Sequence, residues 1–236
     1  MAGMKGRPLL LGHRGARATR RVPENTIASF DLAMTHGCDG FEFDVRRSGD
    51  GAAVICHDPV WRARGDRRPG LEVAGATLTE LEGIAKLRDV VERFAGIAYL
   101  DMELKITGLE RRVLEVLEAY RPERFVVSSF QRGALKQMRD ATPEVPLGLI
   151  CDTSAQLAGW ETLPVSVVIP HYKLVTQEFV QALHGAGKQV LVWTVNEETK
   201  MRELAEWGVD GVISDETELL VRTLSDWPQI SQMNAD

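Results

Sequence analysis

Glu42 and Asp44 stand in the stretch Phe41-Glu42-Phe43-Asp44-Val45, an apolar run whose alternate positions are acidic. In an extended strand, side chains two residues apart point the same way, so both carboxylates face one side while Phe41, Phe43 and Val45 face the other. The same period of two puts Asp101, Glu103 and Lys105 on one face of "IAYLDMELK" (97–105). Carboxylates gathered at one place are driven toward protonation unless a cation neutralises them. A hard divalent ion with oxygen ligands, Mg2+ or Ca2+, is the simplest neutraliser. For Glu42-x-Asp44 alone, structural ion pairs to Arg46 or Lys105 explain the charges as well. A third acid, Glu103, ending a separate strand tips the reading toward the cation.

Histidine supplies the proton chemistry that such a site lacks. His13 and His57 each follow an apolar run, "LLLGH" (9–13) and "AAVICH" (52–57), and imidazole is the usual proton carrier near neutral pH. One can take a proton while the other gives one to a leaving oxygen. Arg14 beside His13 and Lys105 beside Glu103 add the cations that hold the nonbridging oxygens of a phosphoester. Together these groups describe metal-assisted phosphoester cleavage. His36 and His184 precede glycines at helix ends, where contact with the carbonyl end of the helix is the structural role expected of them. His171, after "VVIP", is read as a pocket-wall residue.

Groups this scattered need a scaffold that brings strand ends together. Short apolar runs alternate with helix-like stretches: strands at 9–13, 40–46, 52–57, 97–105, 124–130, 146–151, 165–170, 189–195 and 210–214. Helices between them start near Asn25, Thr77, Gly108, Gln131, Thr153, Thr176, Glu197 and Glu216. "GLERRVLEVLEAY" (108–120) carries Leu109, Val113, Val116, Leu117 and Tyr120 at helical spacing. This alternation implies a mostly parallel α/β sheet, and about eight repeats favour closure into a (β/α)8 barrel over a doubly wound sheet. No Gly-x-Gly-x-x-Gly follows the first strand, which weakens a dinucleotide-binding reading. In a barrel, reacting groups sit at the C-terminal ends of the strands. His13, Glu42, Asp44, His57, Glu103, Lys105 and Trp193 all fall at or just after such ends.

A chain of 236 residues fits one barrel domain over 1–236, with a short insertion after the second barrel strand. Its net charge of −6 argues against nonspecific nucleic-acid binding. The 3 cysteines, Cys38, Cys56 and Cys151, are scattered without a C-x-x-C spacing, as in a reducing compartment. The apolar run Leu9-Leu10-Leu11 is too short for a signal peptide, and no stretch reaches membrane-span length, so no stable membrane anchor and a cytoplasmic location are expected. Nothing in the sequence sets the oligomeric state.

The ordered motifs "HRG" (13–15), "ENT" (24–26), "GCDGFEFDVRRSGDG" (37–51), "HD" (57–58), "LDMELK" (100–105), "SSF" (128–130), "WTVN" (193–196) and "GVDGVISD" (208–215) closely resemble the glycerophosphodiester phosphodiesterase family over nearly the whole chain. The resemblance implies a TIM-barrel hydrolase that releases sn-glycerol 3-phosphate and an alcohol from glycerophosphodiesters, using one divalent cation; the short connection after His57, with no room for a large cap domain, favours small soluble diesters. It implies Glu42, Asp44 and Glu103 as metal ligands and His13 and His57 as the acid–base pair. Arg14 and Lys105 then match the phosphate contacts, Trp193 the aromatic residue on the glycerol side, and Glu24 and Asn25 supporting residues at the first helix. The segment after "HD" departs from the family pattern: "PVWRARGDRRPGLEVAGA" carries Arg62, Arg64, Arg67 and Arg68, and "KLRDVVERFAG" (86–96) replaces the usual Pro-Thr-Leu. Both differences bear on substrate preference. Two other readings are a lysophospholipase D-like phosphodiesterase and a non-catalytic phosphate-binding barrel.

Overall fold

A computed structural model of the chain describes residues 6–19, 22–63 and 69–227. Its strands are β1 (Leu9–His13), β2 (Gly40–Arg47), β3 (Ala53–Ile55), β4 (Val60–Trp61), β5 (Leu71–Glu72), β6 (Tyr99–Leu104), β7 (Arg124–Ser129), β8 (Leu147–Cys151), β9 (Val167–Pro170), β10 (Gln189–Val192) and β11 (Gly211–Ser214). Its helices are α1 (Ile27–His36), α2 (Leu87–Phe94), α3 (Glu110–Tyr120), α4 (Arg132–Ala141), the single turn α5 (Ser154–Leu157), α6 (Gln177–Gly185), α7 (Glu198–Glu206) and α8 (Thr217–Leu224). β1 pairs in parallel with both β2 and β11, which closes the ring β1–β2–β6–β7–β8–β9–β10–β11. Closure leaves no barrel strand with an unpaired edge.

The alternation in Phe41–Val45 resolves at this level. Phe41 and Phe43 point outward under the helices: the Phe41 ring stacks on Phe30 of α1 with centroids 4.2 Å apart and meets Phe94 of α2 edge-on at 4.9 Å. Burial and aromatic contact of this kind make the pattern of β2 an anchor as well as a site. Inside the ring, Leu11, Tyr99, Val126, Ile150, Val167, Ile169, Leu191 and Ile213 form a separate apolar cluster. The barrel interior is therefore a packed plug, and the polar residues sit on top of it.

Three sequence expectations change here. The run 52–57 was expected as one of the parallel strands, but β3 runs antiparallel to the end of β2, pairing Val45 with Ile55 and Arg47 with Ala53. β2 outruns its barrel partner β6, whose pairing with it ends at Val45 and Leu104. The overhanging backbone still needs partners, and the returning chain supplies them. The helix expected near Thr77 is absent. There, the Thr77 N–H and hydroxyl both donate to the Glu80 carboxylate, closing a turn, and the helix comes later as α2. The helix expected near Thr153 is only α5, followed by Gly159 at φ +73 and a single 3-10 turn. Between β2 and α2 the insertion packs its own small cluster of Val54, Cys56, Val73, Ala76, Leu81 and Ile84. Arg64, Arg67 and Arg68 lie outside the described residues, and Arg62 is exposed. No described helix is long and apolar enough to cross a membrane.

Candidate active site

Strand register builds the site before any side chain is considered. His13 of β1 lies beside Glu42 of β2, Glu42 beside Asp101 of β6, and Asp44 beside Glu103. Neighbours in register on parallel strands share a face, so the acids of β2 and β6 meet over the apolar plug. Glu42, Asp44 and Glu103 are all buried, and one carboxylate oxygen of each lies within 4.8 Å of those of the other two.

Burial and mutual repulsion set the charge of this cluster. Burial, then the charges of Asp44 and Glu103, lifts Glu42 well above the ordinary carboxylate range. Burial, then Asp44, lifts Glu103 to about 7. Burial pushes Asp44 up as well, but Arg14, Lys105 and the Asn25 amide outweigh it and hold Asp44 below its ordinary value. The Arg14 Nε lies 3.2 Å from Asp44 Oδ2, and Lys105 Nζ lies 2.7 Å from Glu103 Oε1 and 3.3 Å from Asp44 Oδ1. Even so, among the described residues the buried oxygens Glu42 Oε1 and Asp44 Oδ1 accept no hydrogen bond, and Asp44 Oδ1 has only the Lys105 ion pair. A buried acceptor left unpaired is costly. An oxygen-only donor set with two unsatisfied oxygens fits a hard divalent cation such as Mg2+ or Ca2+.

The two histidines are placed differently. His13 ends β1, and its Nδ1 is 2.7 Å from Asp215 Oδ1 at the end of β11. Its Nε2 is 3.7 Å from Glu42 Oε2. Burial lowers the His13 pKa despite the Asp215 carboxylate, which favours the neutral imidazole. Burial raises Asp215, but the His13 hydrogen bond and charge, the Asn196 amide and Arg17 together hold it well below the ordinary value. His57 is not at the end of a barrel strand; it follows the antiparallel β3, which returns it to the mouth. Its side chain is 36% exposed and its Nδ1 is 2.7 Å from Asp58 Oδ1.

The remaining residues brace this arrangement. Asn25 donates from Nδ2 to Asp44 Oδ2 at 2.7 Å and accepts the Asp44 N–H on Oδ1 at 3.2 Å. Glu24 takes Arg14 Nη1 at 2.7 Å. The turn that carries His13 and Arg14 needs glycine next: Gly15 has φ +81, and a Cβ there would lie 2.5 Å from Ser29 Oγ of α1. Trp193 donates from Nε1 to the Ile169 carbonyl at 3.0 Å and meets Phe130 and His171 edge-on, each at 5.5 Å. His36 and His184 lie elsewhere, on Thr217 and Asp210. Arg46, the cation offered by sequence as a possible partner of the acids, makes no ion pair among the described residues and bonds instead to the His57 carbonyl.

A cavity of about 110 Å³ is lined by His13, Arg14, Glu42, His57, Glu103, Lys105 and Trp193. A roomier groove of about 530 Å³ on the outer flank, beside Lys86, Arg88 and Tyr120, gathers no comparable set of acids and histidines. The sequence does not single out Asp215, and it puts Asp101 on the face of Glu103 without giving it a role. Asp215 orients His13, and its position directly after the last strand was the available signal. Asp101 lies under the acids, fully buried, and accepts the Ser128 hydroxyl at 2.5 Å. Its place on the Glu103 face of β6 was the corresponding signal.

Comparison with known proteins gives a consistent result. The sequence profile of the glycerophosphoryl diester phosphodiesterase family matches residues 13–94 and 91–219. A glycerophosphodiester phosphodiesterase of Caldanaerobacter subterraneus subsp. tengcongensis is 29% identical over 240 residues, covering 90% of this chain and 96% of the relative. The crystal structure of a glycerophosphodiester phosphodiesterase from Thermotoga maritima superposes with a TM-score of 0.80 at 26% identity, covering 92% of this chain and 98% of that one. A phosphodiesterase of Oleispira antarctica, solved in complex with the product sn-glycerol-3-phosphate, superposes with a TM-score of 0.78 at 29% identity, covering 92% of this chain and 96% of that one.

Proposed function

The chain belongs to the glycerophosphoryl diester phosphodiesterase family, and on that premise we propose that it hydrolyses small glycerophosphodiesters to sn-glycerol 3-phosphate and an alcohol. One observation carries this reading: three buried carboxylates with oxygens within 4.8 Å of one another, in a cavity lined by two histidines, an arginine and a lysine. Glu42, Asp44 and Glu103 would hold one divalent cation, which neutralises their charge and polarises the phosphoryl oxygens when bound. Arg14 and Lys105 add fixed positive charge where negative charge develops on the phosphorus oxygens.

His13 is placed to take the proton of the nucleophile. Its Nδ1–H is committed to Asp215, which leaves the Nε2 lone pair facing the acids, the arrangement that makes a neutral imidazole a base. His57 faces solvent and gives its proton to the departing alkoxide. The O–H bond of the nucleophile breaks toward His13, the new O–P bond forms, and the P–O bond to the alcohol breaks toward His57. The nucleophile is water or the substrate's own glycerol hydroxyl, and both need the same proton removed. Oxygen-18 from solvent water in the first-formed phosphate ester distinguishes the two. Trp193 and Phe130 present ring faces and edges to the carbon skeleton of the glycerol.

The same proposal treats 1–236 as one catalytic domain, since the family match runs from 13 to 219. It places the protein in the cytoplasm, where Cys38, Cys56 and Cys151, all buried and unbridged, stay reduced. No nucleic acid is a partner. The test is release of sn-glycerol 3-phosphate from glycerophosphocholine. Turnover is expected to vanish in EDTA and to return with Mg2+ or Ca2+. Full turnover in excess chelator would remove the metal from the account.

A further inference from the structure

Resting on the reading of His57 as the proton donor, we propose that Arg46 is the positioning residue for that histidine and acts through its backbone carbonyl. His13 is held on all sides: it is 8% exposed, it ends a barrel strand, and Asp215 fixes its ring. His57 has neither the burial nor the barrel strand; among the described residues its ring is held only by its neighbour Asp58, Nδ1 to Oδ1 at 2.7 Å. The returning strand β3 ends at Ile55, and its last backbone tie to β2 is the Cys56 N–H on the Asp44 carbonyl at 3.0 Å. Beyond that the chain leaves the sheet for the loop toward β4.

Arg46 supplies the missing tie. It lies on β2 two residues past Asp44, so it shares the inward face of Glu42 and Asp44 but stands above the rim. Its Nε and Nη2 both donate to the His57 carbonyl, at 2.8 and 2.6 Å. Two donors of one rigid guanidinium on one oxygen fix the His57 peptide in distance and in direction. Asp44 and Glu103 pair with the other cations nearby, Arg14 and Lys105, and the Arg46 charge is spent on a neutral carbonyl. That choice has a geometric use: the peptide carrying the more exposed histidine is tied to the strand that carries two of the acids. The distance between His57 and the acid cluster is then set by a side chain on β2 and not by the loop.

The test is a double-mutant cycle on the full-length enzyme with glycerophosphocholine. Arg46→Met is expected to lower kcat about 10- to 100-fold, the loss that a misplacement of about 1 Å brings, with KM held within about twofold. Arg46→Lys, which keeps a donor and the charge, should recover part of the loss and covers the case in which Arg46→Met does not fold. In a His57→Ala protein, Arg46→Met should change kcat by less than about twofold, because the group it positions is gone. If His57→Ala is strongly impaired but the Arg46 variants turn over at the wild-type rate, or the Arg46 loss persists undiminished without His57, the inference is wrong. If His57→Ala itself keeps full turnover, the assignment of His57 fails and the role of Arg46 fails with it.

Discussion

His13 and His57 are the same side chain in opposite surroundings, one buried against Asp215 and one facing solvent beside Asp58. That contrast is the basis for proposing His13 as the base and His57 as the acid. Asp215 raises the His13 pKa against the stronger lowering effect of burial. Replacing it by Asn removes that support, so the His13 pKa falls further and the acid limb of the kcat/KM profile moves to lower pH, since the base must be deprotonated to act. The same change frees the ring to adopt the wrong tautomer, and kcat for Asp215→Asn is expected to fall about 10²- to 10⁴-fold. Steady-state kinetics across pH measure both effects; a limb that moves to higher pH would contradict the assignment of His13 as the base. The acids and His13 were legible in the sequence because barrel strand ends collect reacting groups, whereas His57 reaches the mouth from the antiparallel β3. Asp215 was harder to see because one Asp after a strand carries no meaning until closure puts β11 beside β1.

Elements, more than single contacts, hold these side chains in register. Phe41 faces outward from β2 beside the inward-facing Glu42, so its packing on Phe30 and Phe94 fixes the strand that carries Glu42 and Asp44. Phe41→Ala is expected to cost about 3–5 kcal/mol by chemical denaturation. A cost under 1 kcal/mol would mean that α1 does not anchor β2. At the β1–α1 turn, Gly15→Ala must displace Ser29 of α1 or move the turn bearing His13 and Arg14. Activity should fall more than stability there, as read by comparing kcat/KM with the midpoint of thermal unfolding. Periodicity revealed α3 and the parallel strands because their apolar faces repeat. It misplaced β3 and the helix near Thr77 because neither is set by periodicity. β3 is ordered by the overhang of β2, and the Thr77 turn by the Glu80 carboxylate. Both are contacts between side chains or strands that a one-dimensional pattern does not contain.

At the scale of the molecule, the barrel buries a group of acids that the unfolded chain would keep in water. Burial, then neighbouring charge, lifts Glu103 to about 7, and burial lifts Asp101 to about 7 against the Ser128 hydrogen bond. Without a cation the folded state therefore binds more protons than the unfolded state between about pH 4 and pH 7. Stability contributed by these groups is present at the acid end of that window and is lost as pH rises through it. A divalent cation held by the ionised carboxylates, as proposed, would remove that loss. The rise in Tm on adding Mg2+ or Ca2+ to chelated protein should thus be larger near about pH 8 than near about pH 5.5, with about 2–4 °C for each kcal/mol gained. Equal shifts at both values would separate the acid cluster from cation binding. The barrel as a whole was readable from about eight strand–helix repeats, but its closure rests on β1 pairing with β11, a contact between the two ends of the chain. The most direct test of the central claim is the rate of sn-glycerol 3-phosphate release from glycerophosphocholine by the wild-type, His13→Ala and Glu103→Gln proteins in saturating divalent cation. Phosphodiester cleavage by the acid cluster and the histidine pair predicts a loss of at least about 10²-fold in each variant, and wild-type rates in both would contradict it.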